Sequence, residues 1–209
     1  MAYVEILVTR PPSGWPASDD PLDWCPRVEA LAARRPVDRQ RSLAADRLLS
    51  LLCDRWHVGP HAYEPDGRPT CGPGAHLTAS HDGAYVVAAI SDEPVGVDVV
   101  DCQRNTRWVV RIMSSDEQVP DADEQSRGRA WAVREAALKW AGTGMSIDPR
   151  ALTVTHAPGD PTAHLDRWWT VTFPDGRTVP VASGAVGDHA LALAAKTPLT
   201  IVVDHHDLT

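Results

Sequence analysis

Apolar residues recur along this chain in two periods, and the switches between periods mark out its elements. Residues 2–8 predict a first strand. The Pro- and Gly-rich stretch 11–26 reads as irregular. Asp38 is a fair N-cap for a helix of about four turns, whose apolar stripe is Leu43, Leu48, Leu51 and Leu52. Residues 60–74 are again rich in Gly and Pro and predict a loop with at most short strands. Two buried strands follow, 85–90 and 95–100, and their short link predicts an antiparallel hairpin. The spacing predicts a second helix over 125–141, with Ala130, Val133, Ala137, Trp140 and Ala141 on its core face and Gly142 and Gly144 ending it. Strands are expected at 152–155, 168–173, 178–181, 190–195 and 199–203, with a turn at 174–177.

This order predicts an α+β fold of two lobes, residues 1–101 and 102–209, dividing near 101–105. The chain has 209 residues, 43% of them hydrophobic, enough to build a core of that size. The formal charge of -8 argues against a nucleic-acid surface. It leaves room for a local arginine cluster that could hold phosphate. The N-terminal residues lack a basic region followed by a long apolar stretch, and read as a strand rather than a signal peptide. No uncharged apolar run approaches a membrane span. A soluble, cytoplasmic protein is expected. Cys25, Cys53, Cys71 and Cys102 form no C-x-x-C pair or zinc spacing, as expected of free thiols in a reducing compartment. The 20 basic residues include only two lysines, Lys139 and Lys196. Arginine replaces lysine poorly where a compact ammonium is needed.

Asp98 interrupts an apolar strand. A buried carboxylate needs a cation, a metal or donors, whereas one at a strand end needs only water. Glu135 and Lys139 are spaced i, i+4, on one helix face with Trp131. That spacing alone also describes an ordinary surface ion pair. Ser80-His81 is no catalytic dyad by itself, because neighbours on an extended chain diverge. Arg68 sits on a turn. Arg34, Arg35, Arg39 and Arg41 cluster around the start of the first long helix, where a solvated surface and a phosphate site look alike.

In order, these pieces read Asp38-Arg39-Gln40-Arg41-Ser42, Asp66-Gly67-Arg68-Pro69, Ser80-His81, Gly96-Val97-Asp98-Val99, and the run Trp131-Ala132-Val133-Arg134-Glu135-Ala136-Ala137-Leu138-Lys139. They resemble the phosphopantetheinyl transferase family, and most closely its long, surfactin-synthetase-activating type. That type is marked by D-x-x-R-[ST], G-[KR]-P, S-H, G-[VI]-D-[VI]-E and W-x-x-K-E-[AS]-x-x-K. The resemblance covers about half the chain, and the last motif, placed after a G-V-D strand, is its specific part.

The resemblance implies two similar α+β lobes in a pseudo-two-fold arrangement, with coenzyme A in the cleft between them. It implies transfer of the phosphopantetheine arm to a serine of an apo acyl or peptidyl carrier protein, as in polyketide or nonribosomal peptide synthesis. Asp98 and Glu135 would bind Mg2+, and Glu135 and Lys139 would be catalytic. Arg68, Ser80 and His81 would face the nucleotide, Arg41 and Ser42 the adenine side, and Arg34 and Arg35 the 3'-phosphate. A monomer is expected, because both lobes lie in one chain. One departure stands out: Val100 occupies the position of the family's second acid. The stretch also resembles the short holo-acyl-carrier-protein-synthase type, G-x-D-[IV]-x-E, which manages with fewer protein ligands. A coenzyme A-binding relative that has lost transfer, one catalysing another reaction in the same cleft, and a structural or interaction protein with accidental motif matches are the rival readings.

Overall fold

The computed structural model describes residues 2–12, 15, 25–31, 34–103, 107–113, 123–159, 165–196 and 199–208. Most of the irregular stretch expected over 11–26, and residues 104–106 at the expected division, lie outside the described residues.

The elements run β1 (Ala2–Thr9), α1 (Val28–Leu31), α2 (Pro36–Trp56), β2 (Ala62–Tyr63), β3 (Pro69–Thr70), β4 (His76–Asp82), β5 (Tyr85–Ser91) and β6 (Val95–Asp101). After a 3-10 turn at Arg107–Ile112 come α3 (Glu124–Trp140), β7 (Thr153–Ala157), β8 (Leu165–Thr172), β9 (Thr178–Val186), β10 (His189–Ala195) and β11 (Leu199–His205). The fold is α+β, as expected. One sheet has the order β11-β1-β5-β4 and the other β6-β10-β9-β8-β7, with β2 and β3 forming a small hairpin of their own.

Alternation along the strands sets the layers. Val4, Ile6 and Val8 of β1 and Val87 and Ala89 of β5 pack against Val97 and Val99 of β6 and Leu191 and Leu193 of β10. The intervening residues point outward to a helix. Leu7, Val86, Ala88 and Ile90 meet Leu48, Leu49 and Leu52 of α2. On the far side, Val100, Ala190, Ala192 and Ala194 meet Ala132, Val133, Ala136 and Ala137 of α3. The result is four layers, α2, sheet, sheet and α3. Strands covered on both faces explain the apolar run at 86–90 and the one at 95–100, which Asp98 alone interrupts.

The hairpin expected between 85–90 and 95–100 does not form. β5 pairs with β1 and β4, whereas β6 pairs with β10. The short link instead carries the chain from one sheet to the other. Both runs are buried almost throughout, so burial alone does not say whether they pair edge to edge or stack face to face. The expected boundary at residue 101 falls at the end of β6, a strand of the second sheet. From the other end of the chain, β11 returns to the first sheet and lies parallel to β1.

The two long helices fall close to the expected spans. α2 starts earlier than expected, with Pro36 in its first turn and Arg35 at the N-cap without a side-chain cap bond. Asp38 lies inside that turn and pairs with Arg35 at 2.8 Å, rather than capping the helix. Proline fits the first turn because its missing N–H has no helical partner there. α3 is capped as helices usually are: Asp123 accepts the Ser126 N–H at 2.7 Å. Among the described residues no helix is long and apolar enough to cross a membrane.

Candidate active site

β6 is the edge strand of its sheet, and its free edge faces β4. Three side chains of β4, two residues apart and therefore on one face, reach across to it. Thr78 Oγ1 accepts the Val97 N–H at 3.3 Å, and Asp82 Oδ2 accepts the Asp101 N–H at 3.0 Å. Between them Ser80 donates its hydroxyl to Asp98 Oδ1 at 2.6 Å. Ser80-His81 thus lies within a strand of its own, β4. Thr78 and Asp82 were missed in the sequence. Polar residues at every second position beside an apolar strand were the available signal.

Asp98 points to the α3 side of its sheet, along with Gly96 and Val100. Gly96 is what lets the helix come close. A Cβ there would stand 2.0 Å from the Ala136 carbonyl oxygen and 2.5 Å from the Trp140 nitrogen. With no side chain in the way, Lys139 reaches back over β6. Its Nζ donates to Asp98 Oδ1 at 2.7 Å and to the Val97 carbonyl at 3.0 Å. Glu135, one turn earlier, lies on the same face.

The charges in this cluster act on one another. Asp98 is only 5% exposed, and burial pushes its carboxyl up while Lys139 and Ser80 pull against that shift. Burial also pushes Glu135 up, the Asp98 charge adds to the effect, and Lys139 opposes it. His81 is held below the usual imidazole range, first by burial and then by the charges of Arg41, Lys139 and Arg34. These residues therefore share one electrostatic neighbourhood. Arg34 Nη1 donates to Ser42 Oγ at 3.2 Å, which brings both to the same group. Arg35 does not join it. Its side chain is 82% exposed and pairs with Asp38.

A cavity of about 850 Å3 opens beside the cluster, between the β2–β3 hairpin, β4 and the C-terminal end of α3. Arg68, Thr78, Lys139, Trp140 and Gly142 line it. Lys139 is where the cavity meets the carboxylates. Arg68 lies against Gly142, whose φ is +65°, and a Cβ there would come 2.7 Å from Arg68 Nη1. The helix thus ends on a residue that both turns the chain and leaves room for the guanidinium.

The donor set bears on a metal. No group of three or more His, Cys, Asp or Glu side chains suited to a metal occurs among the described residues. Asp98 and Glu135 offer two carboxylates, mutually repelling and answered by one lysine. Two hard carboxylate donors that share a single lysine fit Mg2+, which keeps water and substrate phosphates in its remaining positions. Val100, at the position of the second acid in G-[VI]-D-[VI]-E, is buried in the apolar cluster beneath α3.

Arg134 stands where the motif W-x-x-K-E-[AS]-x-x-K has its first lysine. It is fully buried, and its guanidinium donates to the Ala130 and Ile112 carbonyls, tying α3 to the 3-10 turn.

Comparison with known proteins adds to this geometry. Residues 94–194 match the 4'-phosphopantetheinyl transferase superfamily. The chain is 24% identical over 196 residues to the 4'-phosphopantetheinyl transferase psf-1 of Bacillus pumilus, covering 87% of this chain and 81% of that protein. It is 26% identical over 113 residues to the 4'-phosphopantetheinyl transferase Sfp of Bacillus subtilis (strain 168), covering 51% of this chain and 47% of that one. A third similar protein, the 4'-phosphopantetheinyl transferase ffp of Bacillus subtilis, is 27% identical over 151 residues, 65% of this chain and 67% of its own length.

Proposed function

This chain belongs to the 4'-phosphopantetheinyl transferase superfamily, in its long type, and from that premise we propose that it transfers 4'-phosphopantetheine from coenzyme A to a serine of an apo carrier protein, releasing 3',5'-ADP. The observation that carries this reading is the contact of Lys139 with Asp98 at 2.7 Å, beside Glu135 and at the end of the cavity lined by Arg68. Cations and carboxylates meet there at a space open to a ligand, as phosphoryl transfer requires.

The serine oxygen forms a bond to the β-phosphorus of coenzyme A, and the bond from that phosphorus to the bridging oxygen of the nucleotide breaks. Glu135 takes the serine proton, directly or through a water. Burial and the Asp98 charge both raise its proton affinity, which suits a general base. Lys139 uses two of its three N–H donors on Asp98 and Val97, which leaves one for a phosphate oxygen or the departing nucleotide. Asp98 and Glu135 are the residues that would hold Mg2+, which when bound neutralises phosphate oxygens. Arg68 lines the cavity as a phosphate partner, while His81, Arg41, Ser42 and Arg34 form the nucleotide-facing wall. Arg35 is assigned no contact. All of these groups come from one chain, which supports a monomeric enzyme.

The packing of Val100 beneath α3 favours a second reading, a coenzyme A-binding relative with too few metal ligands to transfer. One experiment separates the two. The protein is mixed with coenzyme A, Mg2+ and an apo carrier protein, and the carrier is weighed by mass spectrometry. A gain of one phosphopantetheine arm is expected. An unchanged carrier, with coenzyme A bound to the protein, would replace the transferase reading with the second.

A further inference from the structure

We propose that Asp46 is a positioning residue that sets the two arginine arms of the cleft, Arg34 and Arg68, by anchoring the segments that carry them; this rests on the coenzyme A reading above. Asp46 lies on α2, away from the carboxylates of the active site, and is fully buried. Two separate stretches of chain converge on it. From the segment before α2, Cys25 donates its thiol to Oδ2 at 2.9 Å and Arg27 Nη2 donates to Oδ1 at 3.0 Å. From the β2–β3 side, Tyr63 donates its hydroxyl to Oδ1, and His61 Nε2 stands 3.5 Å from the same oxygen. The Arg27 guanidinium also lies 3.8 Å from the centre of the Tyr63 ring, so the two stretches touch each other over the carboxylate. Burial alone would raise this carboxyl. Its His61, Cys25 and Tyr63 partners and the Arg27 charge together hold it below the usual range, so it stays ionised.

Each stretch leads directly to an arginine of the cleft. The Leu31 N–H bonds to the Arg27 carbonyl, and the Arg34 N–H bonds to the Leu31 carbonyl, both at 3.0 Å. Arg34 then reaches Ser42, four residues and one helical turn from Asp46 on the same face of α2. On the other side, Tyr63 stands opposite Pro69 in the hairpin. The neighbouring Glu64 N–H bonds to the Arg68 carbonyl at 2.9 Å. One carboxylate therefore fixes the roots of two cations that approach the ligand from different segments. A buried ionic group of this kind can be exchanged for apolar packing with little loss of stability, so what it supplies is a defined geometry. Ligand affinity follows from that geometry, because arms held in place lose less freedom on binding.

The test compares Asp46→Asn and Tyr63→Phe with the wild type in two measurements. In the transfer assay, Asp46→Asn should raise the KM for coenzyme A on the order of 10-fold and keep kcat within about 2-fold, the split expected for lost binding geometry rather than lost chemistry. Tyr63→Phe should raise KM by less. The second measurement is amide hydrogen exchange of the ligand-free proteins. Asp46→Asn should speed exchange in both 25–31 and 62–70, Tyr63→Phe in 62–70 alone, and α3 should exchange as in the wild type in each. Unchanged exchange in either arm of Asp46→Asn, or a fall in kcat at constant KM, would overturn the proposal. If Asp46→Asn does not fold, Tyr63→Phe must show its own loosening and raised KM, or the proposal fails. If the wild type neither binds coenzyme A nor transfers, the functional reading falls, while the exchange pattern still decides whether Asp46 anchors both arms.

Discussion

Asp98 and Lys139 meet across the β6–α3 contact at 2.7 Å, although they are 41 residues apart in the chain. Their meeting depends on Gly96, over which α3 passes with its backbone. The geometry of the candidate site is thus coupled to a close helix–strand contact beside it.

Gly96→Ala tests that coupling. The new methyl would press on backbone atoms, which cannot swing aside as a side chain can. Overpacking of this kind costs about 1–3 kcal/mol. A lower melting temperature is expected, together with a loss of transfer larger than the unfolded fraction accounts for, because Lys139 is pushed away from Asp98. Wild-type activity in a stable Gly96→Ala protein would mean that the spacing is not critical.

Glu135→Gln should lower the transfer rate by about 100-fold or more, as expected for a lost general base. It should also change the pH dependence of stability. Glu135 has a folded-state affinity for its proton above the ordinary carboxylate value, so its favourable contribution is present below that value. This contribution is lost as pH rises through the raised folded value. At neutral pH the amide variant should therefore melt slightly higher than the wild type, and the gap should close in acid. Melting curves across the carboxylate range measure this directly.

Lys139→Met leaves Asp98 buried without its counter-charge. The expected destabilisation is about 3 kcal/mol, the low end for a broken buried pair, because 27% of the Lys139 side chain is exposed. Lys139→Arg keeps the charge. It should still transfer far more slowly, since the larger guanidinium cannot approach a phosphate oxygen as a compact ammonium does and is a poor proton donor. Denaturant melts and transfer rates on both variants separate the two effects. Wild-type turnover by Lys139→Arg would remove Lys139 from the mechanism.

Val100→Glu places a carboxylate in the apolar cluster beneath α3, on the same face as Asp98. Without Mg2+ and coenzyme A the ionised group should cost roughly several kcal/mol. With both present, part of that loss should return and less Mg2+ should be needed for half-maximal transfer. Melting curves with and without the two ligands, plus a Mg2+ titration of rate, give the answer. A melting loss that Mg2+ and coenzyme A leave untouched would mean that position 100 is purely core.

Arg68→Ala and His81→Ala should raise the KM for coenzyme A with kcat largely kept, the split expected of residues that would meet the nucleotide end of the ligand. Dephospho-coenzyme A as donor sharpens the assignment. If His81→Ala loses as much with it as with coenzyme A, His81 does not read the 3'-phosphate.

The sequence by itself determined the two long helices and most of the strands, and it singled out Ser80, Asp98 and Lys139, which the structure brings together. Those features are local. A helix shows its period within a few turns, and G-V-D or W-x-x-R-E-A-x-x-K carries its chemistry in adjacent letters. What only the tertiary structure decided is partnership. The runs 85–90 and 95–100 are both largely apolar, so nothing in their letters says that they enter different sheets. Arg34 and Arg35 are neighbours of one type, yet one turns to Ser42 and the other to solvent with Asp38. Asp46 is one polar letter among several in α2, and its four partners lie 15 to 21 residues away in two segments. Pairing, packing distance and burial of charge depend on atoms brought together by chain closure, and the energies that select them are summed over contacts that no local pattern contains.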